Sequence, residues 1–124
     1  MTDRYDAAQL TDFAAALFAD AGLEPDKART TAEILVEGDL MGHTTHGLAL
    51  LGGYLDEARA GRMLGAGQPE IVADAPAART WNGRRLPGPW LVVQAAEWAT
   101  ARAAETGIAA VSIRHSCHIA CLAA

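Results

Sequence analysis

The sequence predicts an α/β (α+β) fold in which an N-terminal helical layer is followed by alternating strands and helices. Residues 6–62 repeat apolar side chains at helical spacing, whereas residues 70–113 alternate short strand-like segments with one long helical pattern. No Gly-x-Gly-x-x-Gly motif follows a predicted strand, so the pattern does not indicate a Rossmann fold. We therefore divide the chain into a helical region, residues 1–62, and the start of a strand–helix–strand region, residues 63–124.

Three amphipathic helices are predicted in the first half of the chain. The first spans residues 6–21, and the second spans residues 25–41, because its proline suits the first turn of a helix. Thr44 or Thr45 caps the third helix, which ends at Gly61. The apolar stripes of these helices contain Leu10, Phe13, Leu17, Phe18, Ala28, Leu35, Val36, Leu48, Leu51 and Leu55.

Two short strands and a loop follow the helical region. Residues 70–73 and 78–81 have strand character, and an Asn-Gly turn ends the second strand. Residues 84–89 form a loop, because Pro87 and Pro89 exclude a helix there.

The last part of the chain continues the alternation. Residues 90–106 form a fourth helix, and residues 108–113 form a buried strand. The apolar residues 119–124 are typical of the first turns of another helix. Because this apolar run has no polar ending, we expect a fragment of a longer chain.

Composition restricts the class of protein. The 124 residues carry a net charge of -5, which gives no overall basic character for binding nucleic acid. No apolar run reaches the roughly 18 residues of a membrane span, and the polar N-terminus is unlike a secretory signal. Cys117 and Cys121 are too close in sequence to staple a fold, so we expect the cytoplasm. Arg84 and Arg85 could hold an anion, although an exposed loop pair is the more common arrangement.

All four histidines occur in two His-x-x-His pairs, His43 with His46 and His115 with His118, at predicted junctions between elements. Histidine is suited to proton transfer near neutral pH. The same residues could instead satisfy backbone groups at turns, or bind zinc together with the two cysteines, although no established zinc spacing is present. A small, non-catalytic helical interaction or regulatory module is the third alternative.

The segment from Gly42 to Gly47, Gly-His-Thr-Thr-His-Gly, resembles the Gly-His-x-[Ser/Thr]-His-Gly signature of the malate/L-lactate dehydrogenase family. That family has its own non-Rossmann fold. The similarity covers the chain in order and returns in four further segments, at Tyr54-Leu55, 60–63, 107–111 and 114–119.

The resemblance implies an oxidoreductase that interconverts a 2-hydroxy acid and its 2-keto acid with NAD or NADP. It implies that His46 and His118 are catalytic, and that either one could carry the proton while the other hydrogen-bonds the substrate. Thr45 and Tyr54 are then expected to contact the substrate. Many members have an arginine that can clamp a carboxylate at the position of Leu50, so the usual carboxylate contact is missing here.

The resemblance also sets expectations for the whole protein. Family chains are considerably longer, so the cofactor-binding residues are expected mostly beyond residue 124, and the isolated chain is expected to be inactive. No metal is expected. In its full-length context the protein is expected to form a homodimer and to bind neither nucleic acid nor a membrane.

Overall fold

A computed structural model describes residues 3–124. Its order of elements confirms the predicted fold class, with helices first and a strand–helix–strand arrangement afterwards. Two short 3-10 turns separate the second and third helices. The elements are α1 (Ala7–Asp20), α2 (Pro25–Leu40), the turns Thr44–His46 and Leu48–Leu50, α3 (Leu51–Arg59), β1 (Glu70–Ala75), β2 (Ala78–Asn82), α4 (Gly88–Thr106) and β3 (Ala110–Arg114).

The first two helices begin where the sequence indicates. The Asp6 side chain caps α1 by accepting a hydrogen bond from the Gln9 N–H at 2.9 Å. Pro25 occupies the first turn of α2, where a missing N–H costs no hydrogen bond. The two helices pack against each other and bury Phe18 and Leu35 of their predicted apolar stripes, whereas Phe13, which was placed in the same stripe, is 61% exposed because it faces away from α2 and α3.

The main core lies among the three N-terminal helices. Phe18 of α1 and Leu35 of α2 are fully buried there, and Tyr54 of α3 packs against Phe18 with 6.4 Å between ring centroids. Ala120, from near the end of the chain, belongs to the same cluster. A smaller cluster joins α4 to the sheet and consists of Leu86, Trp90 and Leu91 with Ile113 packed against them.

A buried cation connects the helical layer to α4. The Lys27 side chain is fully buried, and its Nζ lies 2.6 Å from the Glu24 carboxylate. The same Nζ lies 4.2 Å from the ring centroid of Trp90, within the range of a cation–π interaction. This contact joins α2 to the first turn of α4.

The strands form one three-stranded sheet in the order β1-β2-β3. β1 pairs with β2 antiparallel, and β2 pairs with β3 parallel, with α4 as the connection between the parallel strands. Trp81 of β2 stands opposite Ile71 on one side and Ile113 on the other. The predicted alternation is confirmed, although whether residues 1–62 and 63–124 are separate units stays a prediction.

Two helix starts differ from the prediction. The third helix begins at Leu51 after two 3-10 turns, and no side chain caps it, whereas Asp39 of α2 accepts a hydrogen bond from the Leu48 N–H at 2.8 Å in the turn before it. The fourth helix begins at Gly88 rather than at Trp90. The expectation that Pro89 excludes a helix was wrong, because Pro89 lies in the first turn, where proline is tolerated.

Two predictions for the last part of the chain were also wrong. β3 begins at Ala110, is only partly buried, and leaves Ile108 75% exposed, so residues 108–113 are not a buried strand. Residues 119–124 form no helix. A helix cannot begin there, because Ala120 has a left-handed backbone conformation, with a φ of 56°, and its N–H donates a hydrogen bond to the side chain of His118.

Candidate active site

The segment after β3 carries His118 and is fixed by backbone hydrogen bonds. The loop before α4 is tied to it in three places, by Gly83 N–H to the Arg114 carbonyl at 2.7 Å, Arg85 N–H to the His115 carbonyl at 2.8 Å and Cys117 N–H to the Leu86 carbonyl at 3.2 Å. These bonds hold residues 114–118 against the beginning of α4.

Gly88 makes this close approach possible. A Cβ at Gly88 would collide with the backbone of Cys117 and His118, and would lie 2.7 Å from the His118 carbonyl carbon. Only a residue without a side chain lets the His118 segment lie directly against the first turn of α4. The position of His118 therefore depends on the sequence Pro-Gly-Pro at the start of that helix.

Tyr54 holds His118 from the other side. Its hydroxyl lies 2.8 Å from His118 Nδ1 and 3.1 Å from the His118 carbonyl oxygen. Tyr54 is buried, and burial raises the pKa of its phenol far above the ordinary value, although the nearby Ala120 N–H opposes this. The phenol therefore keeps its proton and acts as a neutral hydrogen-bond donor.

His46 lies in a tight turn that Asp39 organises. The Asp39 carboxylate accepts the Leu48 N–H bond and occupies the space where a side chain at residue 47 would lie, so any side chain at Gly47 would displace this carboxylate. The His46 Nδ1 lies 2.9 Å from Thr45 Oγ1. The rings of His46 and His118 are 6.1 Å apart between centroids and nearly parallel, at 24°.

A cavity of about 660 Å³ opens beside His118. Tyr54 and His118 line it, whereas His46 lies on the wall of a separate hollow of about 270 Å³ together with His43. Thr45 is exposed and contacts His46 rather than the cavity. The structure thus brings His46, His118 and Tyr54 together, but places only two of them on the large cavity. Its lining consists of Ala49, Leu50, Gly53, Tyr54, Glu57, Met63, Arg85, His115, Ser116, Cys117 and His118.

Of the charged residues at this cavity, the sequence analysis did not single out Glu57, and it considered Arg85 only as one of a pair that could hold an anion. The Glu57 carboxylate accepts hydrogen bonds from Arg62 Nε and Nη2, and this pairing lowers the pKa of Glu57. Arg85 donates from Nε to the Arg62 carbonyl oxygen at 2.7 Å. Arg84 and Arg85 are exposed, as the sequence predicted, but the contact of Arg85 with residue 62 was not predicted, since nothing in the local pattern indicates that the two segments pack together.

The other polar residues of the site have ordinary structural partners. His115 Nδ1 lies 3.3 Å from Asn82 Oδ1. The Cys117 thiol lies 3.2 Å from the Arg85 carbonyl oxygen, and burial raises the pKa of this thiol. Within residues 3–124, no three His, Cys, Asp or Glu side chains cluster closely enough to hold a metal ion.

None of the helices described has the length and apolar character needed to cross a membrane.

Comparisons with known proteins agree on one family. A family model described as malate/L-lactate dehydrogenase matches residues 5–124. Hydroxycarboxylate dehydrogenase B of Escherichia coli O157:H7 is 33% identical over 116 residues, which are 94% of this chain and 32% of that protein. Malate/(S)-sulfolactate dehydrogenase of Methanothermus fervidus is 29% identical over 97 residues, which are 78% of this chain and 29% of that protein.

Solved structures share the fold. A malate dehydrogenase from Pyrococcus horikoshii superposes with a TM-score of 0.92 at 24% sequence identity. The match covers 95% of this chain and 34% of the Pyrococcus chain. The chain described above therefore spans about a third of the length of the proteins it matches.

Proposed function

The chain belongs to the malate/L-lactate dehydrogenase family, a family of 2-hydroxy-acid dehydrogenases, and we propose that it forms the proton-transfer side of such an active site. The reaction is the interconversion of a small 2-hydroxy acid and its 2-keto acid, with NAD or NADP as the hydride carrier. The observation that supports this most strongly is the convergence of Tyr54, His118 and His46 from three separate parts of the chain.

His118 is assigned the role of a neutral hydrogen-bond donor. The Ala120 N–H lies 3.2 Å from His118 Nδ1 and can only donate, so Nδ1 must present its lone pair. The Tyr54 hydroxyl lies beside the same nitrogen and can donate to it as well. A neutral His118 ring then carries its proton on Nε2, from which it can donate to the oxygen on C2 of the substrate and stabilise negative charge there.

His46 is assigned the role of general acid and base. Its Nδ1 faces the Thr45 hydroxyl, which can rotate from donor to acceptor as the ring gains or loses a proton. No backbone N–H fixes the protonation of this ring among the hydrogen bonds of residues 3–124. His46 can therefore exchange a proton without losing its hydrogen bond, whereas protonating His118 at Nδ1 would break the hydrogen bond from the Ala120 N–H.

The described residues do not fit a dinucleotide. The first turn of α4, a place where helix N–H groups commonly bind phosphate, contains Pro89 without an N–H, and Gly88 there is covered by the His118 segment. Arg85 is the lone arginine or lysine on the wall of the large cavity in residues 3–124. Substrate binding and proton transfer are therefore assigned to residues of this chain, and cofactor binding is assigned to none of those described.

The remaining parts of the proposal rest on family membership. The partner is a small 2-hydroxy or 2-keto acid and the assembly is a homodimer, whereas the cytoplasm is proposed because Cys117 and Cys121 are free cysteines. By itself the chain, which spans about a third of its relatives, is expected to show no turnover.

A chimera tests the proposed function. The matched region of this chain replaces the corresponding third of the Escherichia coli hydroxycarboxylate dehydrogenase B, and oxidation of NADH or NADPH is followed with a panel of 2-keto acids. We expect turnover by the chimera and none by its His46→Gln/His118→Gln variant. The proposal is contradicted if the chimera folds and binds NADH or NADPH but oxidises neither of them faster than the double variant does with any of the acids.

The protonation of His118 can be tested separately by NMR. In ¹⁵N-labelled chain at about pH 9, where an unperturbed imidazole is neutral, we expect the ¹⁵N shifts of His118 to show an unprotonated Nδ1 and a protonated Nε2. The Tyr54→Phe variant keeps the Ala120 N–H, so it is expected to keep the same tautomer. A protonated Nδ1 in both proteins would contradict the assignment of His118 as the donor.

A further inference from the structure

The large cavity contains one cationic side chain whose charge is not neutralised by a hydrogen-bonded carboxylate. Glu57 and Arg85 both line the cavity, and Glu57 is engaged by Arg62 in three hydrogen bonds. No salt bridge to Arg85 occurs among residues 3–124. The cavity therefore presents the positive charge of Arg85 beside the neutral Tyr54 phenol and Cys117 thiol, with the Glu57 carboxylate, which Arg62 pairs, on the same wall.

Arg85 is exposed, but its backbone and its Nε atom are held by hydrogen bonds. Its N–H donates to the His115 carbonyl at 2.8 Å, and its own carbonyl accepts from the Leu64 N–H at 2.8 Å. Its side chain is anchored by Nε to the Arg62 carbonyl oxygen. In the part of the chain that the structure describes, neither Nη atom makes a hydrogen bond, so both remain available.

A guanidinium anchored at Nε can offer two parallel N–H donors from its Nη atoms, and this arrangement matches a carboxylate. An arginine with both its backbone and its Nε fixed loses little side-chain freedom when it binds such a group. Leu50, at the position where many family members carry an arginine, lines the same cavity but is apolar. The cavity therefore has a cationic side chain, Arg85, which lies in the loop before α4 rather than in the turn before α3.

We propose that Arg85 is the carboxylate-binding residue of this site and supplies the contact that Leu50 cannot make. This inference rests on the proposed function, and it fixes the substrate class as acids with a free carboxylate next to the reacting carbon. The carboxylate pairs with the two Nη groups of Arg85. The oxygen on the neighbouring carbon is then directed to His118, which lines the same cavity.

Titration of the 124-residue chain with oxamate tests the proposal, since oxamate is a stable analogue of a small 2-keto acid. We expect oxamate to shift the NMR signals of the Arg85 side chain and of His118, and the uncharged diamide oxamide to have no effect. In Arg85→Gln the dissociation constant for oxamate is expected to rise at least about tenfold, because a charge-assisted hydrogen-bonded pair is lost. Arg85→Lys keeps the charge but cannot donate two parallel hydrogen bonds. Its dissociation constant for oxamate is therefore expected to lie between those of the unaltered chain and of Arg85→Gln.

Arg84→Gln is the matched control. Arg84 and Arg85 are neighbours in one loop and both have a positive φ, 51° and 61°, so substitution costs their backbones alike. Arg84 does not line the cavity, and its removal is expected to leave oxamate binding unchanged. Amide spectra of each variant show whether the fold is retained.

Introducing Leu50→Arg into the Arg85→Gln protein is expected to restore oxamate binding by returning a guanidinium to the same cavity. Equal losses in the Arg84 and Arg85 variants, or no oxamate binding by the unaltered chain, would overturn the proposal. Turnover by the chimera is measured independently, so failure of oxamate binding at Arg85 is distinguishable from failure of the proposed function.

Discussion

Replacing Gly88 with alanine is expected to destabilise the fold by about 2–4 kcal/mol and to displace His118. The added methyl group would collide with backbone atoms of Cys117 and His118, which cannot rotate away as the end of a side chain can. Relief requires the segment to move off α4. That movement breaks the hydrogen bond from the Cys117 N–H to the Leu86 carbonyl and separates His118 from Tyr54.

The measurement combines urea unfolding with NMR of the His118 ring. Gly52→Ala is the control, because a Cβ at Gly52, in the first turn of α3, meets no atom within 4 Å. That change is expected to stabilise the chain by about 0.5 kcal/mol by restricting the unfolded state. If Gly88→Ala had the same urea midpoint as Gly52→Ala and left the His118 signals unchanged, the close packing at Gly88 would neither stabilise the fold nor position His118.

Phe18→Ala is expected to be the most damaging core substitution, with a loss of about 3–5 kcal/mol in the free energy of unfolding. Phe18 is fully buried between the N-terminal helices and contacts the ring of Tyr54. A cavity at this position removes the support behind Tyr54. We therefore expect the substitution to broaden the NMR signals of His118, although no atom of Phe18 lines the large cavity.

Phe13→Ala provides the same chemical change on the same helix. Phe13 is 61% exposed, so its replacement is expected to change the free energy of unfolding by less than about 0.5 kcal/mol. Urea unfolding of both variants gives the comparison. Similar losses at Phe13 and Phe18 would contradict the assignment of the core to the inner face of α1.

The sequence was most informative where local signals agree with burial. Pro25 in a first turn and the apolar stripe around Phe18 and Leu35 belong to the first two helices, and both helices form as predicted. The His-Thr-Thr-His motif also directed attention to His46, which lies beside His118 in the structure. These features depend on neighbours within a few residues in the sequence.

Features that depend on distant backbone atoms were missed. Asp39 caps the turn after Gly47 from another element, and no periodicity of α2 marks it for that role. Arg85 is anchored to the carbonyl oxygen of Arg62, which is remote in sequence. The last residues form no helix despite their apolar character, because Ala120 donates to the His118 side chain from a left-handed backbone conformation.

The buried Lys27 has a consequence for how the chain unfolds. Its ammonium group lies between the Glu24 carboxylate and the Trp90 ring and has already been stripped of water. Detaching α4 while α2 stays folded would remove the Trp90 wall of that enclosure and leave the ammonium group with the carboxylates of Glu24 and Asp26, the latter 3.7 Å away. We therefore expect loss of the Trp90 contact to disfavour a partly folded species with only the helical layer intact, so that the helices and the sheet unfold together.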